Sequence, residues 1–161
     1  LNNEPVAAKM DEHVADAQAR GASVLTGGAR QANMSTDLYW PATVLSGVPG
    51  DARVSTEETF GPVAPVVAID SFEEAVTLAN ASPYGLLSAI FTADLQRGLQ
   101  FADRVRTGWV NINESSNYWE AHLPFGGRSG SDSGIGKVGG AHVMHTFTEL
   151  QTIVISPHRP A

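Results

Sequence analysis

Apolar residues recur at helical spacing near the start of the chain, where Val6, Met10, Val14 and Ala17 fall four and three apart. That rhythm places them on one face of a helix beginning near Glu4. Asn3 can cap it, and Pro5 sits in the first turn, where a missing N–H is tolerated. Gly21 after Arg20 supplies a stop. Ser23 to Thr26 reads as a short strand ended by Gly27-Gly28, and the polar stretch Ala29 to Asp37 as a surface loop. Tyr39-Trp40-Pro41 leads into a second apolar run, Ala42 to Val48, which breaks at Pro49-Gly50.

Val63 to Ile69 is rich in β-branched residues and bounded by turn signals, so it predicts a strand. Pro65 within it suits only the start of that strand or an edge position. Ser71-Phe72-Glu73-Glu74 has the form of a capping box, and the helix behind it runs to about Asn80 with Phe72, Ala75, Val76 and Ala79 facing inward. Ser82-Pro83-Tyr84-Gly85 turns the chain into a strand over Leu86 to Phe91. Thr92 or Asp94 then caps a helix carrying Leu95, Leu99, Ala102 and Val105, Gly108 stops it, and Trp109 to Ile112 is the next strand. Strands alternating with helices predict crossover connections, hence an α/β protein with a largely parallel sheet and flanking helices. A Gly- and Ser-rich stretch without periodicity, Gly126 to Gly140, precedes a short helix over Ala141 to Thr146 and a final strand over Leu150 to Ile155. No internal repeat is visible.

At 161 residues the chain has the length of one domain with a sizeable core, and 42% hydrophobic with 17% charged residues is ordinary for a globular protein. A formal net charge of −7 argues against nucleic acid or an anionic membrane surface as partner. No apolar run approaches membrane-spanning length and the first residues lack a basic-then-apolar signal pattern, so a cytoplasmic protein is expected. The cysteine count changes the picture more than these do. It is zero, which excludes disulfides, thiolate metal sites and a cysteine nucleophile within the chain.

Candidate chemistry gathers in four places. In the turn Glu57-Glu58-Thr59-Phe60-Gly61-Pro62-Val63, Phe60 can offer a ring face to a flat ligand and Glu58 can accept hydrogen bonds from hydroxyls. The alternative is a plain turn feeding a buried strand. Gly134-Ile135-Gly136-Lys137-Val138-Gly139 matches the dinucleotide fingerprint, but no strand immediately precedes it and too little chain follows to complete the unit. A phosphate-cradling P-loop fails as well, since Ser131 stands where the first glycine is needed and Val138 where the hydroxyl is needed. In Asn117 to Phe125, Tyr118, Trp119 and Phe125 with the Glu120 carboxylate suit a flat apolar pocket with a polar handle, or else merely close the core. Either Glu58 or Glu120 could act as a general base toward water if burial raised its pKa, whereas a solvated or capping carboxylate is the commoner use. His142 and His145, three apart on a predicted helix, permit two metal ligands but bring no third, so no metal is expected.

Three stretches together, Glu57 to Val63, Pro124-Phe125-Gly126-Gly127 and Phe147-Thr148-Glu149, resemble the aldehyde dehydrogenase superfamily in order and spacing, from about Pro5 to Ile155. The resemblance is to the C-terminal part of such enzymes. It implies one truncated domain over residues 1–161, with a catalytic-domain portion over 1–146 and an oligomerisation strand and tail over 147–161. It implies NAD(P)-linked oxidation of an aldehyde to the acid, with Glu58 holding the nicotinamide-side ribose and Phe60 contacting the same part of NAD or NADP. Trp119 and Phe125 fall where the family lines its substrate tunnel, favouring aromatic aldehydes of the benzaldehyde or salicylaldehyde kind. Ser133-Gly134-Ile135-Gly136-Lys137 resembles the family's Ser-Gly-x-Gly-Arg loop, with lysine for arginine. The family attacks its substrate with a cysteine that lies upstream of this region, leaving Glu58 and Glu120 as the only stand-ins here. The last strand is expected to make a homo-oligomer, unless it folds back onto its own sheet. The competing expectation is a non-catalytic remnant serving as an oligomerisation or aromatic-ligand-binding module.

Overall fold

The computed structural model describes residues 1–156. Contacts gather into two compact units, Leu1–Pro83 and Tyr84–Ala161.

The first unit opens with α1 (Glu4–Ala19), where Val6 N–H donates to the Asn3 side chain at 3.1 Å and Gly21 follows with φ +99°. The expected stripe is buried at Met10, Val14 and Ala17, joined by Ala7 and by His13, which the periodicity did not single out. Strands β1 (Ser23–Thr26), β2 (Thr43–Ser46) and β3 (Val63–Val66) form one sheet in that order. The β1/β2 pair is antiparallel with an irregularity between Val24 and Thr26, and the β2/β3 pair is parallel. Pro65 therefore lies on an edge strand, where its missing N–H leaves no gap in the ladder. Val14 and Ala17 of the helix pack with Leu45 of β2 and with Val48, Ala52 and Val54 into the core. Buried Thr43 is fully used: its hydroxyl donates to the Pro41 carbonyl and accepts from Trp40 Nε1 and Gly28 N–H. Between β2 and β3 runs a short helix, α2 (Arg53–Thr56), that hydrophobic patterning had not revealed because a single turn shows no period. Helix α3 (Phe72–Ala81) ends the unit, with Glu74 N–H donating to Ser71 Oγ at 3.1 Å. The Glu74 carboxylate reaches back to the Asp70 amide at 2.8 Å, one residue beyond the expected Ser71.

In the second unit β4 (Leu87–Ile90), α4 (Leu95–Arg104) and β5 (Trp109–Ile112) form a crossover unit with the two strands parallel. Asp94 is the cap, its carboxylate accepting from the amides of Gln96 and Arg97. Helix α5 (His142–Phe147) follows the Gly-rich loop.

Four expectations are corrected. In place of one largely parallel sheet, the first unit holds a mixed three-stranded sheet and the second a parallel pair. The run Val63 to Ile69 is not a buried strand: Val66, Val67 and Ile69 are exposed. Leu95 and Leu99 are exposed while Gly98, Phe101 and Val105 are buried, so α4 turns a different face inward. Leu150 to Ile155 forms no strand within this chain: among the described residues it pairs with neither sheet, and it lies exposed. The tail residues 157–161 lie outside the described residues. Among the described residues, no helix is long and apolar enough to cross a membrane.

Candidate functional site

The first unit presents its chemistry on the turn between α2 and β3. Glu57 is held from two sides. Arg53 donates through Nε at 2.8 Å and Nη2 at 3.1 Å, and His13 approaches through Nε2 at 3.2 Å. The Arg53 guanidinium first, and His13 second, hold the Glu57 carboxyl at about 2, well below the ordinary 4.5. Arg53 also reaches Glu12 at 2.7 Å, and its amide donates to Asp16, so α2 is laced to α1 by charge-assisted bonds. Glu57 is thus a structural anion.

Its neighbours differ. Glu58 is exposed. Thr59 Oγ1 meets His13 Nδ1 at 3.2 Å. Phe60 sits at φ +53° with 81% of its surface exposed. A left-handed backbone is disfavoured for an L-residue by about 1–2 kcal/mol, and a bulky aromatic held there with its ring outside the core is not a packing solution. Such an outlier points toward a functional role.

The second unit carries the aromatic segment. Trp119 and Phe125 are brought together, ring centroids 5.8 Å apart, and Trp109 of β5 meets Phe125 edge-on at 6.0 Å. What positions them is buried Asn111. Its amide donates to the carbonyls of Ser115 at 2.7 Å and Tyr118 at 3.1 Å while its oxygen accepts from Trp109 Nε1 at 2.6 Å. The sequence reading missed Asn111; its one signal was a polar residue in an apolar strand, which asks for a hydrogen-bonding explanation. Tyr118 does not join the ring cluster. Its hydroxyl donates to Glu120, and that carboxylate holds the phenol above its ordinary pKa. His122 lies 3.6 Å from the same carboxylate.

The Gly-rich stretch is anchored at its base. Phe125 and Val138 exchange backbone hydrogen bonds at 2.7 and 2.8 Å, and Ser133 Oγ accepts from the Gly85 amide at 2.9 Å. The Lys137 ammonium donates to the carbonyls of Gly126 and Gly127. A cavity of about 400 Å³ opens in this loop, lined by Gly127, Ser129, Ser131, Ile135 and Lys137 among others. With its ammonium committed to two carbonyls, Lys137 braces the loop.

The burial that a carboxylate general base requires is not met. Glu58 is exposed, and the Glu120 side chain is 43% accessible. Among the described residues no group of three or more His, Asp or Glu is placed to hold a metal, and the His142 and His145 rings stand 6.4 Å apart.

These features describe an α/β protein with an acidic-aromatic turn and a braced aromatic segment. The aldehyde dehydrogenase family profile matches residues 1–153. The chain is 44% identical to the benzaldehyde dehydrogenase [NAD(+)] of Pseudomonas putida over 153 residues, 95% of this chain and 30% of that protein. It is 38% identical to the mitochondrial succinate-semialdehyde dehydrogenase of Rattus norvegicus, over 95% of this chain and 28% of that one. The crystal structure of an NAD-dependent aldehyde dehydrogenase from Sinorhizobium meliloti matches with a TM-score of 0.88 at 33% identity, covering 99% of this chain and 31% of that one. This chain belongs to the aldehyde dehydrogenase family. It spans less than a third of the length of these relatives.

Proposed function

We propose that these residues serve NAD- or NADP-linked oxidation of an aldehyde to the acid, with an aromatic aldehyde of the benzaldehyde or salicylaldehyde kind as substrate. The observation that carries the reading is Phe60: a strained backbone holds an exposed ring two residues from an exposed carboxylate. An acceptor-only carboxylate beside a flat ring suits a ribose and the ring attached to it. The nicotinamide cofactor supplies the hydride acceptor when bound. Glu58 accepts hydrogen bonds from ribose hydroxyls and Phe60 limits where the attached ring can lie. In the second unit, Trp119 and Phe125 offer apolar faces to the substrate's ring, and the negative Glu120 disfavours an aldehyde that carries its own carboxylate. These 161 residues include no cysteine, so they supply no thiol nucleophile to that reaction.

The same reading divides the chain into a catalytic-domain portion over 1–146 and an association segment over 147–161. Leu150, Ile153, Val154 and Ile155 are exposed and β-branched or apolar, which fits a strand donated to the sheet of a second copy. A non-catalytic association module shares that feature but gives Phe60 no reason for its strain.

The test replaces the matching segment of the Pseudomonas putida benzaldehyde dehydrogenase with residues 1–153 and follows NADH formation. The hybrid is expected to oxidise benzaldehyde far better than succinate semialdehyde, and Glu58→Ala to raise KM for NAD+ about tenfold, the worth of one or two charge-assisted hydrogen bonds. A folded, active hybrid whose KM for NAD+ ignores Glu58→Ala refutes the cofactor assignment.

A further inference from the structure

His13 is the least accounted-for polar residue in the first unit. It is wholly buried on α1, yet both ring nitrogens reach the turn some 45 residues later in the chain, Nε2 to Glu57 and Nδ1 to Thr59, each at 3.2 Å. The chemistry of the partners sets the tautomer. Ionised Glu57 only accepts, so Nε2 carries the hydrogen, and in the neutral ring Nδ1 then accepts from the Thr59 hydroxyl. The two bonded residues flank Glu58 and lead directly into Phe60. One turn back along α1, Met10 seals the far side: a Cβ built on Gly61 would lie 2.3 Å from its Sδ. Arg53 completes the frame by gripping Glu57.

From this we infer that His13 is a positioning residue for cofactor binding: its imidazole clamps both neighbours of Glu58, so that the carboxylate and the Phe60 ring are held in place before NAD+ arrives. The inference rests on the assignment of Glu58 and Phe60 given above. A clamp of this kind lowers the ordering that binding would otherwise require. It also explains why a histidine occupies a core position where leucine or methionine would pack without needing partners.

The test uses the full chain with NAD+ as the probe, following amide hydrogen exchange at residues 57–61 and NAD+ affinity by titration. In the wild-type chain NAD+ protects these amides, and Glu58→Ala abolishes that protection. His13→Phe keeps the ring and removes both nitrogens. It is expected to speed exchange at 57–61 about tenfold, with the amides of β2 as protected as before, and to weaken NAD+ binding about tenfold, as the loss of one or two buried hydrogen bonds requires. His13→Gln, which retains an N–H to offer Glu57, recovers part of both. Thr59→Val removes one bond without touching α1 and moves both readouts in the same direction, so the inference stays open to refutation should His13→Phe not fold. The inference is overturned if the turn is no looser in these variants, if it loosens only together with the core, or if it loosens while NAD+ affinity holds. Absence of any NAD+ protection in the wild-type chain overturns the assignment of Glu58 and Phe60, and this inference with it. That failure is told apart from the others because the turn would still loosen in His13→Phe.

Discussion

Phe60 combines an unfavourable backbone with a ring that contributes little to the core, and two substitutions separate these effects. With 81% of the residue exposed, about a fifth of a side chain of roughly 200 Å² is buried. At about 25 cal/mol per Å² that burial stabilises by about 1 kcal/mol, which Phe60→Ala and Phe60→Gly both lose. Alanine keeps the left-handed penalty of about 1–2 kcal/mol at φ +53°. Glycine escapes it, but its freer unfolded chain returns about 0.5–1 kcal/mol of the gain. Phe60→Gly is therefore expected to exceed Phe60→Ala by about 0.5–1 kcal/mol and to come close to the native residue. For a chain of this length that is about 1–4 °C in Tm, and urea midpoints at equal m-values resolve it. Both variants should weaken NAD+ binding. If Phe60→Ala is as stable as Phe60→Gly, the backbone is not strained and the signal used to assign this turn disappears.

Other consequences can be measured with the same equipment. Gly108→Ala would bring a Cβ to 1.9 Å from the Gly126 carbonyl and 2.5 Å from Lys137 Nζ. The expected cost is about 1–3 kcal/mol together with faster proteolysis between residues 128 and 137, and an unchanged cleavage rate would show that Lys137 does not brace the loop. Leu45→Ala removes a fully buried side chain of the first unit's core and should destabilise it by about 2–5 kcal/mol, read from a urea melt. For pH, the folded value of Glu57 is lowered to about 2 from 4.5, so its contribution is complete above pH 4.5 and is lost as pH falls through about 2. The difference in urea midpoint between wild type and Glu57→Gln should accordingly be constant above pH 4.5 and vanish near pH 2. A difference that persists at pH 2 would mean that the carboxylate's charge is not what holds the turn.

Some elements were legible because their determinants are local. Asn3 and Ser71 cap the helices the sequence assigned them, and Asp94 is one of the two caps it offered for α4, since a cap is a bond between a side chain and an amide two or three residues away. Pro65 indicated either the start of a strand or an edge position, because a residue without an N–H cannot sit between two partners, and it lies on an edge. Residues of the candidate site could be nominated for a similar reason: Trp119 and Phe125 are close in sequence, and they meet. Helix α4 was misjudged at Leu95 and Leu99 of the stripe Leu95, Leu99, Ala102 and Val105, because Ile112 approaches so closely over Gly98 that a glycine, invisible to a hydrophobic count, marks the inward face, while Val105 is buried as expected.

By itself, then, the sequence determined the order of the longer helices and of strands β1 to β5, most of their caps and stops, and the absence of a sulfur nucleophile, since each is a property of one residue and its near neighbours. Tertiary structure alone decided that the strands divide into two sheets, that Leu150 to Ile155 pairs with neither of them among the described residues, and that Glu57 becomes a fixed anion. Strand pairing depends on which edges meet. The role of Glu57 depends on Arg53 from α2 and on His13, a residue 44 positions away that only folding brings within 3.2 Å.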